Sequence, residues 1–475
     1  MSNNIIRGRK DIKTAREKNT GEKRFKLTSI QVIMVGFIAL ILAGTLLLMI
    51  PASTAKGEST DFITALFTAT TSICVTGLVV VDTFSHWSLL GKVIILVLIQ
   101  LGGFGVITFY SYAMLMLKKK FSLKLRLLIQ EYYNLSSISG LIKFLKKVVY
   151  GTFIVEGIGA FLYTFTFVPE FGFLKGIWVS VFTSVSAFCN AGIDIIGPDS
   201  LIRYQTNISI NLITMFLIIL GGLGFVVWFD VVKAVKKMSK KHISLSKFFI
   251  QLNEHSRLVL NLTIFLILSG AILVFIFERN NPDTIGNMNI GNKILCSIFQ
   301  SVTFRTAGFA SIPQGDLTPS TCLIGFIYMF IGGSPVGTAG GVKTVTVFII
   351  VLNAVSYVRN RDEAVVFSRR ISKANVSKAT AIVFVSMLIT LFFIILLINT
   401  SDANLLDAAY EIFSATATVG LSRGLTSSLN MVGKVIVILA MYLGRIGPIS
   451  MALFFTTSRP PKNDINYIKG HFIVG

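Results

Sequence analysis

Long apolar segments alternate with short, partly polar segments along this chain, and the alternation occurs four times. Each unit has a long apolar segment, a short amphipathic segment and a second long apolar segment. The long segments predict helices at about 28–50, 89–117, 148–168, 208–232, 258–277, from 322 onward, 380–398 and 432–455. The short segments predict helices at about 61–72, 176–188, 292–303 and 405–417. A helix rises about 1.5 Å per residue, so the long helices can cross a bilayer core of about 30 Å and the short ones cannot.

A glycine-containing turn follows each short helix. The four turns are Val75, Thr76, Gly77 and Leu78; Asn190, Ala191, Gly192 and Ile193; Thr306, Ala307, Gly308 and Phe309; and Thr418, Val419, Gly420 and Leu421. Their glycines are 115, 116 and 112 residues apart, and a phenylalanine opens the run that leads to each of them. A nearly fixed spacing of this kind indicates one unit copied four times.

The composition agrees with a membrane protein. Of the 475 residues, 53% are hydrophobic and only 14% are charged, which is too apolar for one soluble core. The net charge of +22 comes from basic residues that cluster between the units, for example in 118–147 and 233–257. Such clustering is typical of cytoplasmic loops rather than of a surface that binds nucleic acid. Both termini are therefore predicted to be cytoplasmic, and the turns to open from outside.

These patterns predict an all-α polytopic membrane protein. Four repeats of span, re-entrant pore helix and span would surround a central pore, giving 8 full transmembrane helices and 4 half-helices. A basic cytoplasmic tail and a C-terminal tail are expected at 1–27 and 459–475. The predicted repeats lie between them, at 28–120, 121–237, 238–358 and 359–458.

A half-helix and its turn place backbone at membrane depth, where only protein or a water-filled cavity can satisfy it. Each half-helix would point its partially negative C-terminal end at the centre, which favours a cation. The turns contain no carboxylate. Divalent ions favour carboxylate oxygens, so a ring of neutral carbonyls suits a monovalent cation, with potassium first. The alternative is that the glycines are kinks where packed helices cross.

A second glycine series lies in the last helix of each unit, and for its first two copies close helix packing is the favoured interpretation. The third copy has five glycines and one proline within 332–341 and cannot remain helical. We expect a movable gate there, formed by Gly332, Gly333, Ser334, Pro335, Gly337, Thr338, Gly340 and Gly341. Lys343 follows this segment, and Arg445 occupies the matching place in unit four. Arg445 either projects its charge toward the ion path or ties the gate by hydrogen bonds.

The turn sequences and the fourfold plan resemble the Trk/Ktr/HKT superfamily of potassium transporters, and most of all its bacterial KtrB/KtrD branch. The resemblance extends from about residue 28 to the C-terminus. It implies that the four glycines belong to a potassium selectivity filter and that 332–341 is the intramembrane gating loop. It also implies a homodimer in the bacterial plasma membrane, gated by a cytosolic, nucleotide-binding ring of KtrA-type (RCK) subunits. Sodium stimulation is common in such systems, although no residue of this chain indicates it.

Two other classes of function compete with a channel-like potassium uptake subunit. An ion-coupled secondary transporter would bind its solute at the midplane between inverted repeats. Here each repeat has two full spans and keeps the same orientation, which counts against that plan. A membrane-embedded enzyme would need reactive groups at membrane depth, and the sequence has no paired carboxylates, HExxH motif or Ser-His-Asp set there.

Overall fold

The computed structural model describes residues 29–118, 121, 123–133, 139–241, 247–361 and 363–447. Its helices are α1 Ser29–Leu48, α2 Phe62–Cys74, α3 Thr83–His86, α4 Leu89–Phe104, α5 Val106–Met116, α6 Leu123–Tyr132, α7 Leu141–Phe171, α8 Phe173–Cys189, α9 Ile208–Leu223, α10 Phe225–Lys241, α11 Phe248–Gln251, α12 Glu254–Glu278, α13 Ile290–Thr303, α14 Pro319–Phe330, α15 Thr344–Val358, α16 Lys373–Thr400, α17 Leu405–Thr416, α18 Leu425–Ser428 and α19 Met431–Ile446. Short 3₁₀ helices occur at Pro51–Ser53 and Ile202–Tyr204. Strands β1 Val365–Val366 and β2 Arg369–Arg370 form a small antiparallel hairpin, in which Val365 pairs with Arg370. The helical, polytopic fold expected from the sequence is confirmed.

Four helices of the described part are long and apolar enough to span a bilayer by themselves: α1, α7, α12 and α16. Each is the first long helix of its unit, and α7 begins at Leu141, inside the segment that the sequence indicates as a basic connector. Large apolar side chains such as Phe161 and Phe265 are exposed on them, which suits contact with lipid. Two bent helix pairs, α4 with α5 and α9 with α10, would each add a further span.

The four short helices α2, α8, α13 and α17 are termed pore helices below. They have 13, 17, 14 and 12 residues, so the prediction of four short helices is correct. Three begin at a side-chain cap, which is Asp61 for α2, Asn289 for α13 and Asn404 for α17. These side chains accept hydrogen bonds from the first free backbone N–H groups. The C-terminal parts of the pore helices are buried at the centre of the molecule.

The last helix of each unit is termed the inner helix, and here the structure corrects the sequence. The spans expected at 89–117 and 208–232 are not continuous helices but bent pairs. The first bends by 94° after Phe104 and the second by 102° after Leu223. Gly105 and Gly224 stand at these bends with φ of +77° and +89°, a conformation that ends a helix.

The third inner helix is interrupted at 331–343, between α14 and α15, so the predicted break is confirmed. The fourth, α19, is described as far as Gly447, which has a φ of +91°. The rest of the span predicted at 432–455 lies outside the described residues. The two predicted terminal tails also lie outside them.

Candidate functional site

The four turn glycines meet at the centre of the molecule. Gly77, Gly192, Gly308 and Gly420 all have left-handed backbone, with φ of +100°, +66°, +79° and +99°. A Cβ atom added to any of them would lie within 3.0 Å of backbone atoms in a neighbouring turn. Real Cβ atoms do not approach backbone so closely, so each position accepts only glycine without a shift of the chain.

The turns contact one another in chain order and close into a ring, termed the glycine ring below. A Cβ added to Gly77 would meet the carbonyl oxygen of Ala191, and one added to Gly192 would meet that of Ala307. Likewise, a Cβ on Gly308 would meet the carbonyl oxygen of Val419, and one on Gly420 would meet that of Thr76. Each glycine therefore packs on the residue that precedes the next glycine, and the fourth turn returns to the first. The carbonyls of all four turns are brought together, as the sequence predicted for the turn residues.

A second left-handed residue in each turn sets its shape. Positive φ angles also occur two positions before each glycine, at Val75, Asn190, Thr306 and Thr418. Val75 and Asn190 reverse the chain directly at the end of the pore helix, and Thr306 and Thr418 do so three and two residues after it. The backbone of the turn therefore stays at the helix C-terminus, where the partial negative charge of the helix dipole favours a cation.

Hydroxyl groups from the pore helices fix the turns. The Gly77 N–H donates to Thr71 Oγ1 at 3.0 Å, and the Gly420 N–H donates to Ser414 Oγ at 3.0 Å. The third turn differs, because Thr303 Oγ1 instead donates to the Phe309 carbonyl at 2.6 Å. These bonds occupy backbone and side-chain groups behind the turns and keep the turns in place.

One side of the glycine ring borders a cavity of about 170 Å³, termed the mouth below. All four ring glycines line it, together with Asp82 and Asp194. The other two acidic residues that follow the turns in sequence, Asp199 and Asp316, are not among its lining residues. Negative charge at the mouth would raise the local concentration of cations.

Asp194 lies in the loop after the second turn, outside the helices. Its burial raises the pKa of the carboxyl to about 6. The Ser200 hydroxyl and the backbone N–H of Ile196 oppose this rise, while the negative charge of Asp82 adds to it. The mouth therefore loses negative charge as the pH falls through about 6.

A buried amide network supports the third and fourth turns, and sequence reasoning missed it. The side chains of Gln300 and Gln314 exchange hydrogen bonds of 2.8 and 3.1 Å, and the Tyr410 hydroxyl donates to Gln314 Oε1 at 2.9 Å. The network joins two pore helices, since Gln300 is on α13 and Tyr410 on α17. Gln314 also lines the mouth. The glutamine at position 300, directly after Phe299 and close to the turn, was the available signal.

The interruption at 331–343, termed the loop below, lies against the other side of the glycine ring. The Thr338 hydroxyl donates to the Phe188 carbonyl at the end of α8, at 3.1 Å. A Cβ atom added to Gly340 would lie within 3.0 Å of Ala417 and Thr418 in the fourth turn. The loop backbone therefore passes directly beneath the second and fourth turns.

The start of the loop is bound to the second inner helix. Ser334 N–H donates to the Gly222 carbonyl at 2.9 Å, and Thr338 N–H donates to the Gly221 carbonyl at 3.1 Å. The added Cβ of Gly337 would also lie within 3.0 Å of the Gly221 carbonyl. Three of the predicted gate residues, Ser334, Gly337 and Thr338, thus contact the second inner helix.

Both predicted basic residues donate to loop carbonyls, Lys343 from within the loop and Arg445 from the fourth inner helix. Lys343 Nζ donates to the Ala339 carbonyl at 2.7 Å. Arg445 Nη1 donates to the Thr338 carbonyl at 2.7 Å, and its Nη2 donates to the Gly102 carbonyl in the first inner helix at 2.5 Å. Arg445 therefore ties the loop to the rest of the molecule. Arg305, beside the third turn, is buried and lines neither the mouth nor the cavity beneath the loop.

A second cavity of about 260 Å³, termed the inner cavity below, lies beyond the loop. Val336, Gly340, Lys343 and Arg445 line it. The ring glycines line the mouth but not this cavity, so ring and loop together separate the two spaces. Mouth, ring, loop and inner cavity thus follow one another in this order.

Comparison with known proteins agrees with this geometry. Residues 5–466 match the model of the TrkH family, described as a cation transport protein. The Ktr system potassium uptake protein B of Bacillus subtilis is 37% identical over 97% of this chain and 99% of its own length. The potassium/sodium uptake protein NtpJ of Enterococcus hirae is 37% identical over 94% of this chain and 96% of its own length.

The fold also matches a solved structure. The crystal structure of the potassium transporter TrkH from Vibrio parahaemolyticus aligns with a TM-score of 0.72 at 16% identity, covering 92% of this chain and 86% of the other. The family match covers most of the chain, and the sequence relatives match it over nearly their full length. This chain belongs to the TrkH family of cation transport proteins.

Proposed function

We propose that this chain is a channel-like pore for potassium uptake and that the glycine ring is its selectivity filter. The closed ring is the observation that carries the proposal, because it brings the carbonyls of four pore-helix turns to one centre. Backbone carbonyls at this position replace the hydration shell of a monovalent cation. The two named relatives are potassium and potassium/sodium uptake proteins, which supports the choice of ion.

The loop is proposed as the gate. It lies between the ring and the inner cavity. Arg445 holds it there by a hydrogen bond to the Thr338 carbonyl, and Lys343 braces it from within by a bond to the Ala339 carbonyl. Opening requires these bonds and those from Ser334 and Thr338 to be broken or exchanged. A cytosolic, nucleotide-binding ring of KtrA-type subunits would supply the free energy for this change, as the family resemblance implies.

The wider setting follows from the charge pattern and the resemblance. The mouth faces outward, both termini are cytoplasmic, and the protein is a homodimer in a bacterial plasma membrane. Basic connectors on the loop side support this orientation. Sodium is proposed as an activator on the resemblance alone.

The decisive experiment measures rubidium and sodium uptake by liposomes that contain the purified chain. Gly192→Ala places a Cβ against Ala307 and Gly308, whereas Gly197→Ala meets no atom within 4 Å although Gly197 lines the same mouth. We expect the native chain and Gly197→Ala to prefer rubidium and Gly192→Ala to lose at least about tenfold of this preference, which is about 1.4 kcal/mol. Gly77→Ser should act like Gly192→Ala.

An unchanged preference in Gly192→Ala and Gly77→Ser would reject the filter assignment. It would favour the alternative of an ion-coupled secondary transporter, in which the glycines only allow helices to pack. If the native chain admits neither ion, the same comparison in a chain with a shortened loop separates a closed pore from a wrong assignment.

A further inference from the structure

Helix α10 presents two apolar faces of different kinds. Val227, Ala234 and Met238 are buried against the protein and lie on one face at about 100° per residue. Val232 and Val235 lie on a second face and are 50% and 51% exposed. Exposed apolar side chains on a helix that already packs by another face require a further apolar surrounding.

The third face of α10 is basic. Lys233, Lys236, Lys237 and Lys240 are exposed and cover about 100° of the helix circumference. The three faces therefore point to protein, to an apolar phase and to a negatively charged or aqueous phase. A helix at a membrane surface beside its own protein meets these three surroundings.

The orientation of α10 supports this position. It turns by 102° from α9, so it runs along the membrane surface when α9 crosses the membrane. Trp228 Nε1 donates to the Leu220 carbonyl across the bend at 2.9 Å. Asp230 accepts hydrogen bonds from the backbone and side chain of Asn253, just before α12, at 2.8 and 2.7 Å. The bend is therefore held from both sides.

The same helix is bound directly to the proposed gate. The N–H of Phe225, its first residue, donates to the Val336 carbonyl in the loop at 3.0 Å. A Cβ atom added to Gly224 would lie within 3.0 Å of the Pro335 carbonyl. Val227, two residues further on, belongs to an apolar cluster against which Val345, in the helix that follows the loop, also packs. A shift of α10 would therefore move the loop at its first bound residues.

We propose that the lysine face of α10 binds the phosphates of anionic lipid headgroups, and that this contact holds the loop beneath the glycine ring. Basic residues close to a membrane surface are attracted by anionic lipid, and their long side chains reach the headgroups while neighbouring apolar residues enter the acyl boundary. The headgroups fix α10 in the position in which Phe225 is bonded to Val336. Anionic lipid therefore stabilises the closed pore.

A lipid surface fits better than an acidic protein because of the exposed valines. Val232 and Val235 adjoin the lysine face, and a lipid boundary covers both faces at once. The lipid contact stands on the geometry of α10 alone. Its effect on transport rests on the proposed function of the loop, so binding and transport are measured separately.

The test uses the purified chain and a variant with K233Q, K236Q, K237Q and K240Q. Thermal unfolding and rubidium uptake are both followed in phosphatidylcholine vesicles with and without phosphatidylglycerol. We expect phosphatidylglycerol to raise the unfolding temperature of the native chain and to lower its uptake about tenfold. The variant should lose both effects. A K373Q/K378Q variant, altered at exposed lysines at the start of α16, is the control and should retain both.

A variant that keeps the phosphatidylglycerol-dependent unfolding temperature overturns the lipid site. Loss of affinity for an acidic cytosolic protein, with lipid dependence intact, also overturns it and assigns the face to that partner. If the temperature shift is lost but uptake never depended on lipid, the coupling to the loop is wrong and the lipid site is right. Should the fourfold variant not fold, the pairs K233Q/K236Q and K237Q/K240Q give the same test at about half the effect.

Discussion

The third inner helix differs from the other three at one glycine. In three units, the first glycine of the inner helix packs on a carbonyl group near the end of the pore helix. The pairs are Gly102 on Ile73, Gly221 on Phe188 and Gly444 on Thr416. Each of these carbonyls belongs to the residue four positions before the turn glycine. In the third unit, Gly332 packs on Gly340 of its own loop. Three inner helices thus press against their pore helices, whereas the third presses against the loop.

The way each helix ends explains the difference. Gly105, Gly224 and Gly447 end the first, second and fourth inner helices, each with positive φ and each three residues after the packed glycine. Pro335 has this place in the third unit, and its ring fixes φ near −65°. One glycine suffices to redirect the first and second helices and to end the fourth, but in the third unit the thirteen residues 331–343 separate its two helices. All four inner helices therefore end near the same position, and only the third unit adds the loop there.

Deleting 335–338 tests this comparison with the largest expected effect. It removes the loop residues bonded to Phe188, Gly221 and Arg445, so rubidium uptake without any partner protein should rise at least about tenfold. Deleting 366–369 from the small exposed hairpin is the matched control and should leave uptake near the native value. Loss of uptake in a well-folded 335–338 deletion would contradict the assignment of a gate.

Arg445→Gln sharpens the comparison because Arg445 stands where the first two units have Gly103 and Gly222. The shorter side chain loses the bonds to the Thr338 and Gly102 carbonyls. We expect uptake to rise about three- to tenfold, corresponding to about 0.7–1.4 kcal/mol of lost loop binding. Lys434→Gln in the same helix is the control. A fall in uptake at full stability would show that Arg445 acts on ions and not on the loop.

The two kinds of packed glycine should respond differently to alanine. Gly221→Ala presses a Cβ onto Phe188 and should lower the free energy of unfolding by about 1–3 kcal/mol, measured by thermal or denaturant unfolding in detergent. Gly332→Ala presses only on the loop, so we expect a smaller loss of stability and a larger rise in uptake. Equal effects of both changes on both measurements would remove the distinction between the third unit and the others.

The smallest expected effect is a pH dependence of uptake, and it should not depend on the loop. The raised pKa of Asp194, about 6, means that its carboxylate is present above this pH and is lost as the pH falls through it. Potassium uptake at low concentration should therefore fall about twofold between pH 7 and 5 on the mouth side, and Asp194→Asn should remove this dependence. The ratio of uptake at pH 7 to uptake at pH 5 should be the same in the native chain and in the 335–338 deletion. A dependence that disappears with the loop would place the titrating group elsewhere.

The sequence predicted the units and the turns because glycine spacing and hydrophobic length are local properties. The break at 332–341 was also predictable, since five glycines and a proline oppose a helix. The bends at Gly105 and Gly224 were missed. In sequence these residues look like the packed glycines Gly102 and Gly221 beside them, and only the backbone angles distinguish the two roles.

Long-range contacts were beyond the sequence. Arg445 reaches Gly102, 343 residues away in the chain, and the sequence left open whether it met the ion path or the loop. The same is true of the bond between Gln314 and Tyr410, which depends on how two units pack.

The glycine ring is assembled from four quarters of a single polypeptide, each resting on the next. A pore built from four identical chains changes all its equivalent positions whenever one codon changes. Here one codon alters one quarter, and the remaining three keep their own chemistry. In the proposed filter, ion preference can therefore shift in small inherited steps, and each of the four turns can change separately while the ring stays closed.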